Sequence, residues 1–236
     1  MEVSRTRLHA AATAVHDDTA ATLRGGCDAA SCTSLCRRLD ARFEAEIEAA
    51  RRDGVAIACA PGCTYCCHQR VGVLPHEAIA LLEHLRTRCT PSDVAAIEAR
   101  IRANARTIDA MTAAEHRAAN LPCAFLVSGR CGAYEVRPSV CASFHSLRKD
   151  RCRYSFEHPH DVGTPRNSRP VALEIKAFAD ALIEATITGL EAARVASAKG
   201  ELHQWLRDLL DDPKLVGRCC AGDTLDDAST ASGRAG

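Results

Sequence analysis

Apolar side chains recur at helical spacing along much of this 236-residue chain. The clearest set precedes Gly54, and its members lie four positions apart, so they share one helix face. They are Leu35, Leu39, Phe43 and Ile47. Similar spacing returns in residues 75–88, 90–108, 171–185 and 202–210. The pattern therefore predicts a mainly α-helical protein.

Several of these helices carry recognisable start signals. Thr90 is followed by proline at the first helical position and by Asp93, an arrangement typical of a capped N-terminus. Thr112 and Glu115 repeat the capping pattern and predict a further short helix. Pro75 stands where the first turn of another helix is expected. Local sequence thus predicts where these helices begin.

Residues 59–68 and 123–152 lack helical periodicity. The first stretch includes Pro61 and Gly62, a pair suited to a tight loop. In the second, an apolar run from Phe125 is interrupted at Ser128 and Gly129, which predicts a small β-hairpin. The expected fold is therefore mainly α, with helices framing an irregular cysteine-rich metal-binding core and a small β-hairpin.

The ends of the chain differ from its middle in composition. Residues 1–32 are rich in alanine and threonine and are expected to form a loosely attached N-terminal arm. Residues 33–212 are expected to form a single domain that binds metal. Polar and small residues dominate 213–236, which predicts a disordered tail that includes Cys219 and Cys220.

Fourteen cysteines are far more than a chain of this length needs to stabilise a core. The N-terminal residues show no continuous apolar segment of a secretory signal, and no membrane-spanning run is evident, so we expect a cytoplasmic protein. Clustered thiols in that reducing compartment serve as metal ligands or catalysts more often than as disulfides.

The charges of the chain argue against some classes of partner. Thirty basic residues balance thirty acidic ones, so no net field favours nucleic acid or an anionic membrane. The basic run between Arg148 and Arg153 is interpreted as a solvated flank because no aromatic stacking residues accompany it. An unidentified protein or small molecule is left as the partner.

Eight cysteines lie in loop-like sequence and form the predicted metal site. Thiolates from one turn can bind a cation together, and distant residues can complete the shell. Eight thiolates allow two four-ligand sites or one polynuclear cluster. The predicted ligands are Cys59, Cys63, Cys66, Cys67, Cys123, Cys131, Cys141 and Cys152.

The neighbouring pair Cys66 and Cys67 poses a geometric problem. Adjacent side chains diverge on an extended backbone and cannot easily bind one ion together. Cys67 is therefore expected to point away from Cys59, Cys63 and Cys66. It is either a packed thiol or the ligand of a second ion.

Two stretches of the chain resemble the CxxCxxCC family, the YkgJ-like cysteine cluster proteins. The similarity extends from Cys59 through "CCHQRVGVLPHEAIALLEHL" and into "LPCAFLVSGRCGAYEVRPSVCASFHS". It implies a zinc- or iron-chelating domain, with iron, an iron–sulfur cluster or zinc as the cofactor. Two departures are the Cys-x3-Cys spacing of Cys59 and Cys63, and Ala142 at a position where the family usually has arginine.

Three side chains near the cysteines are candidates for supporting roles at the metal site. Arg137 could offset the negative charge of a thiolate site, or it could pair with Glu135 or Asp150. His68 and His145 could replace a thiolate as ligands, or they could cap loops and hydrogen-bond sulfur.

Enzymatic readings are alternatives to simple metal binding. The spacing of Cys59, Cys63 and Cys66 is similar to that of radical S-adenosylmethionine enzymes, although the repeated strand–helix units of those enzymes are not evident. Related domains occur in flagellin lysine methylases, which suggests methyl transfer, but no glycine-rich nucleotide loop is visible. A third reading is a nucleophilic Cys66 or Cys67 activated by His68. We expect no catalytic residues.

Overall fold

The computed structural model describes residues 5–223. These residues form a helical protein with two pairs of short antiparallel strands. The helices are α1 (Arg5–Arg24), α2 (Ala29–Arg52), α3 (Pro75–Arg88), α4 (Pro91–Asp109), α5 (Ala113–Ala118), α6 (Ser139–Ala142), α7 (Lys149–Glu157), α8 (Leu173–Ala192), α9 (Leu202–Asp211) and α10 (Leu215–Cys220). The strands are β1 (Gly72–Val73), β2 (Leu126–Val127), β3 (Arg130–Cys131) and β4 (Gly200–Glu201). The predicted mainly α fold is confirmed.

The capping residues begin the helices as the sequence predicts. The Thr90 side chain accepts a hydrogen bond from the Asp93 amide at the start of α4. Thr112 and Glu115 form a reciprocal capping box at the start of α5. Each cap provides a partner for a backbone N–H that the first helical turn leaves unpaired.

Helix α2 lies between the two larger apolar cores of the protein. Its Leu35 packs in a core shared with α3, α4, α9 and α10, which includes Leu81 and Leu206. Its Leu39 and Phe43 pack in a second core with α1 and α8. All three side chains are buried, which confirms the predicted apolar face of α2. Burial of such side chains is the main stabilising contribution to folding.

The sequence predicted a loosely attached N-terminal arm. The described part of this arm is instead packed against the rest of the protein. Helix α1 packs along α8, and Val15, Ala20 and Leu23 are buried. Gly189 of α8 lies so close to α1 that an added Cβ would come within 2.7 Å of the Thr19 Cβ. Small residues therefore permit a close helix pair that the alanine-rich sequence did not reveal.

The segment after residue 213 also differs from the predicted disordered tail. Helix α10 packs against α3 and α9, and Cys219 is completely buried. Cys220 forms a disulfide with Cys27, which precedes α2. Residues 224–236 of that tail, like residues 1–4 of the arm, lie outside the described part of the chain. The division of the chain into units at residues 33 and 212 stays a prediction.

Candidate metal centre

The first cysteine loop, residues 59–68, is a compact turn followed by one turn of 3₁₀-helix at Tyr65–His68. Gly62 adopts φ +85°, a conformation that side chains with a Cβ rarely adopt, so it allows the sharp turn between Cys59 and Cys63. The amide of Cys63 donates to the Ala60 carbonyl at 3.0 Å. The predicted tight loop at Pro61–Gly62 is confirmed.

The second cysteine loop, residues 123–152, contains the predicted hairpin. Strands β2 and β3 pair with Leu126 opposite Cys131, and Ser128 and Gly129 form the turn between them with positive φ. The sequence predicts irregular structure as far as residue 152, but residues 139–142 form helix α6 and residues 149–157 form helix α7. Cys141 therefore lies in α6, and Cys152 lies in α7.

Backbone hydrogen bonds join the two cysteine loops. The Cys123 amide donates to the Cys67 carbonyl at 2.8 Å, and the Ala58 amide donates to the Ser146 carbonyl at 2.9 Å. The Ser146 amide also donates to the Cys59 sulfur at 3.3 Å. These contacts bring cysteines more than fifty residues apart in sequence into one region.

The thiols near Cys59 influence one another's ionisation. Burial raises the pKa of Cys59, and negative charge on Cys63, Cys66 or Cys152 raises it further. Burial likewise raises the pKa of Cys152, with smaller contributions from Cys63 and Cys66. This group therefore combines three cysteines of the first loop with one from α7.

The remaining cysteines of the second loop form another group, which also includes Cys66. Burial raises the pKa of Cys141 well above its usual range, and charge on Cys123, Cys66 or Cys131 adds to that rise. The pKa of Cys123 is raised by burial to about 12. Cys66 therefore interacts electrostatically with members of both groups.

Cys67 does not point away from Cys66, so that prediction is wrong. The Cys67 thiol interacts with that of Cys66, and this interaction is the main reason that the pKa of Cys66 is raised. The prediction assumed an extended backbone, but the segment Tyr65–His68 is a 3₁₀-helix. Neighbouring side chains can approach one another on that tighter backbone.

The raised pKa of Cys66 does not suit a nucleophile. A catalytic cysteine needs a lowered pKa, whereas the pKa of Cys66 is raised. His68 does not serve as its base, because its Nδ1 lies 3.0 Å from the Thr64 carbonyl and its ring packs edge-on against Phe156. A bound cation would favour the thiolate forms that burial and mutual repulsion disfavour.

The donor chemistry fits a thiophilic metal, but the side chains are not arranged as a finished coordination shell. In residues 5–223, no three His, Cys, Asp or Glu side chains are placed so that they could hold one ion together. Cys66 is the exposed member of the predicted set, and Cys152 is buried. Side-chain rotation would therefore have to accompany binding.

Arg137 is held by α2 and not by the partners suggested from sequence. Its Nε donates to Asp40 at 2.9 Å, and its Nη2 also contacts Glu44. Glu135 pairs instead with Arg37, and Asp150 pairs with Arg148. Burial raises the pKa of Cys131, and the nearby charge of Arg137 partly offsets that rise.

His145 is a buried histidine of the second cysteine loop. Its Nδ1 has no hydrogen-bond partner in the described structure, and burial lowers the pKa of the ring. The ring is therefore neutral at physiological pH, the form in which imidazole binds metals. Ser146 follows His145 in the chain, and its amide donates to the Cys59 sulfur. This contact could not be predicted from the sequence, because almost any residue can donate a backbone amide to sulfur.

The segment that contains both cysteine loops matches a known family model. Residues 58–159 match CxxCxxCC, described as "Putative zinc- or iron-chelating domain". Searches of curated proteins and of solved structures found no match. No helix among residues 5–223 has the length and apolar character needed to cross a membrane.

Proposed function

Because residues 58–159 match the CxxCxxCC family model, we propose that this chain binds iron or zinc through the cysteines of its two loops. The proposed ligands are the predicted set of eight, and Cys67, whose thiol interacts with Cys66, stays among them. Iron, alone or in an iron–sulfur cluster, is the favoured metal. Sulfur ligands suit both zinc and iron–sulfur clusters, and elemental analysis of the purified protein distinguishes the two metals.

The observation that carries the proposal is that Cys66 interacts electrostatically with two groups of thiols, in loops that backbone hydrogen bonds hold together. Charge on Cys66 raises the pKa of Cys59 and Cys152 in one group, and of Cys131 and Cys141 in the other. Each group offers four thiols when Cys66 is counted in both. A pair of ions or a polynuclear cluster would use such a shared thiol.

Metal analysis of the full chain tests this proposal. Protein purified without oxygen is expected to carry tightly bound iron or zinc, measured by elemental analysis together with a visible spectrum. The Cys66→Ser variant should lose most of this metal, because one substitution removes a thiol from both groups. Cys89→Ser is the matched control, since Cys89 lies at the end of α3 outside both groups.

The outcome that contradicts the proposal is folded, anaerobically purified protein with metal content near zero. Full loading of Cys66→Ser would remove Cys66 as the shared ligand while leaving metal binding itself in place. We propose a cytoplasmic location because twelve of the fourteen cysteines are free thiols; the disulfide between Cys27 and Cys220 is the exception. An unidentified protein or small molecule stays the proposed partner.

The radical S-adenosylmethionine alternative gains no support from the fold. Enzymes of that type are built on repeated strand–helix units, whereas residues 5–223 contain two antiparallel strand pairs and no parallel sheet. An assay for S-adenosylmethionine cleavage by the metal-loaded protein would be expected to give no product. Product formation would favour the enzymatic reading.

A further inference from the structure

A short segment beyond the family match contacts both cysteine loops. Strand β4 pairs with β1, which follows the first loop, so that Gly72 lies opposite Glu201. The Leu202 amide continues this contact by donating to the Val71 carbonyl at 3.0 Å. The next residue, His203, reaches the second loop. Residues 200–203 thus lie against the end of one loop and the beginning of the other.

The His203 ring holds the peptide that follows Cys123. Its Nε2 accepts a hydrogen bond from the Ala124 amide at 3.2 Å. Asn104 of α4 lies 3.1 Å from the same ring nitrogen, and its Nδ2 also donates to the Pro122 carbonyl at 2.8 Å. The peptide groups on both sides of Cys123 are therefore attached to helices outside the loop.

Glu201 sets the orientation of this ring. The Ala124 amide can only donate, so Nε2 is the unprotonated nitrogen of the neutral ring, and the proton lies on Nδ1. Nδ1 faces the Glu201 carboxylate at 3.1 Å. The other oxygen of that carboxylate accepts from the backbone amides of His203 and Gln204, which caps α9. The carboxylate thus fixes both the tautomer and the helix that carries the ring.

We propose that His203, oriented by Glu201, is a positioning residue that places Cys123 in the metal-binding site. This inference rests on the metal-binding function proposed above. His203 and Glu201 are each 5% exposed, so water does not readily replace the hydrogen bond to Ala124. Without this acceptor, the Ala124 amide would have to shift toward another partner and would take the Cys123 backbone with it.

A shift of the Cys123 backbone would also affect the first cysteine loop. The Cys123 amide donates to the Cys67 carbonyl at 2.8 Å, so movement of Cys123 alters a direct link between the loops. Partners that orient metal ligands typically change metal affinity by about 10–100-fold when they are removed. A loss within this range is the expected size of the effect.

The test compares two variants of the full chain with wild type. His203→Leu removes the acceptor, whereas His203→Gln keeps an oxygen that can accept from Ala124. Zn²⁺ affinity is measured by competition with a chromogenic chelator, and the Co²⁺-loaded proteins are compared by visible spectrum. We expect His203→Leu to bind Zn²⁺ about 10-fold or more weakly with a changed Co²⁺ spectrum, and His203→Gln to recover most of the affinity.

The matched control is His76→Leu. His76 is as buried as His203, but neither of its ring nitrogens has a hydrogen-bond partner in the described residues. Its replacement should leave the Zn²⁺ affinity and the Co²⁺ spectrum unchanged. Thermal melts of the metal-free proteins separate a loss of affinity from a loss of folding. If His203→Leu does not fold, Asn104→Leu provides the same comparison from the other side of Cys123.

A double variant tests the dependence on Cys123. In a Cys123→Ser background, His203→Leu should cause no further loss of Zn²⁺ affinity, because the ligand that it positions is already absent. An equal loss in both backgrounds would overturn the inference, as would unchanged affinity in folded His203→Leu. If wild-type protein binds neither Zn²⁺ nor Co²⁺, the proposed function fails and this inference fails with it.

Discussion

Removal of the disulfide between Cys27 and Cys220 should destabilise the whole domain. The bond joins residues 193 positions apart and encloses the entire family segment. A cross-link stabilises a fold mainly by restricting the unfolded chain. For a loop of this length, the chain-entropy relation gives about 5 kcal/mol at 25 °C. In a protein of this size, that loss corresponds to a fall in melting temperature of about 10–20 °C.

The assay uses metal-free protein, so that a reductant does not act through the metal site. Melting temperature is measured by circular dichroism for wild type and for Cys27→Ser/Cys220→Ser, each with and without a phosphine reductant. The reductant should lower the melting temperature of wild type to that of the double variant and should not change the variant. Cys89→Ser, which removes a free thiol, should keep the full response to reductant.

Thiol counting provides an independent check on this prediction. Of the fourteen cysteines, twelve are free in the structure, so denatured wild type should show twelve reactive thiols before reduction. A wild-type melting temperature that does not respond to reductant, in protein with twelve thiols, would refute the entropic reasoning. Fourteen thiols would show that the bond is absent.

Three further predictions concern stability. Arg137→Gln should lower the free energy of unfolding by about 3 kcal/mol in chemical denaturation, because Asp40, which is 13% exposed, would lose its partner. The control Arg153→Gln, at a 62% exposed site, should change the free energy of unfolding by less than about 0.5 kcal/mol. Equal effects of the two substitutions would contradict the ion-pair argument. Gly200→Ala should lower the free energy of unfolding by about 2 kcal/mol, because the added Cβ would overlap the Trp205 indole. The control Gly217→Ala in α10 places its Cβ in open space and should stabilise the helix. Similar melting temperatures of the two variants would exclude the clash. Burial lowers the pKa of His76 below its ordinary 6.5, so below that pH the unfolded chain binds a proton that the folded protein does not. Stability should therefore fall from pH 7 to pH 5, and His76→Leu should make the fall shallower; an unchanged slope in pH-dependent denaturation would refute this assignment.

Local sequence accounts for most of the helices. Residues such as Leu39 and Phe43 recur at the helical period, and Thr90 and Thr112 cap their own helices, so these elements depend on contacts within a few residues. The hairpin at Ser128–Gly129 is local in the same sense, because its turn requires positive φ. The match to the family model likewise reflects motifs that are visible in the chain, including the cysteines of both loops.

Contacts between distant segments decided the rest. The packing of α1 on α8 and the bond between Cys27 and Cys220 join the ends of the chain, and neither leaves a periodic pattern in the sequence. The contact between Cys66 and Cys67 depends on a 3₁₀-helix where an extended backbone was assumed. The hydrogen bond from Ala124 to His203 spans 79 residues. Sequence patterns report the preferences of neighbouring residues, whereas the position of a thiol in space depends on which distant side chains and backbone groups pack around it.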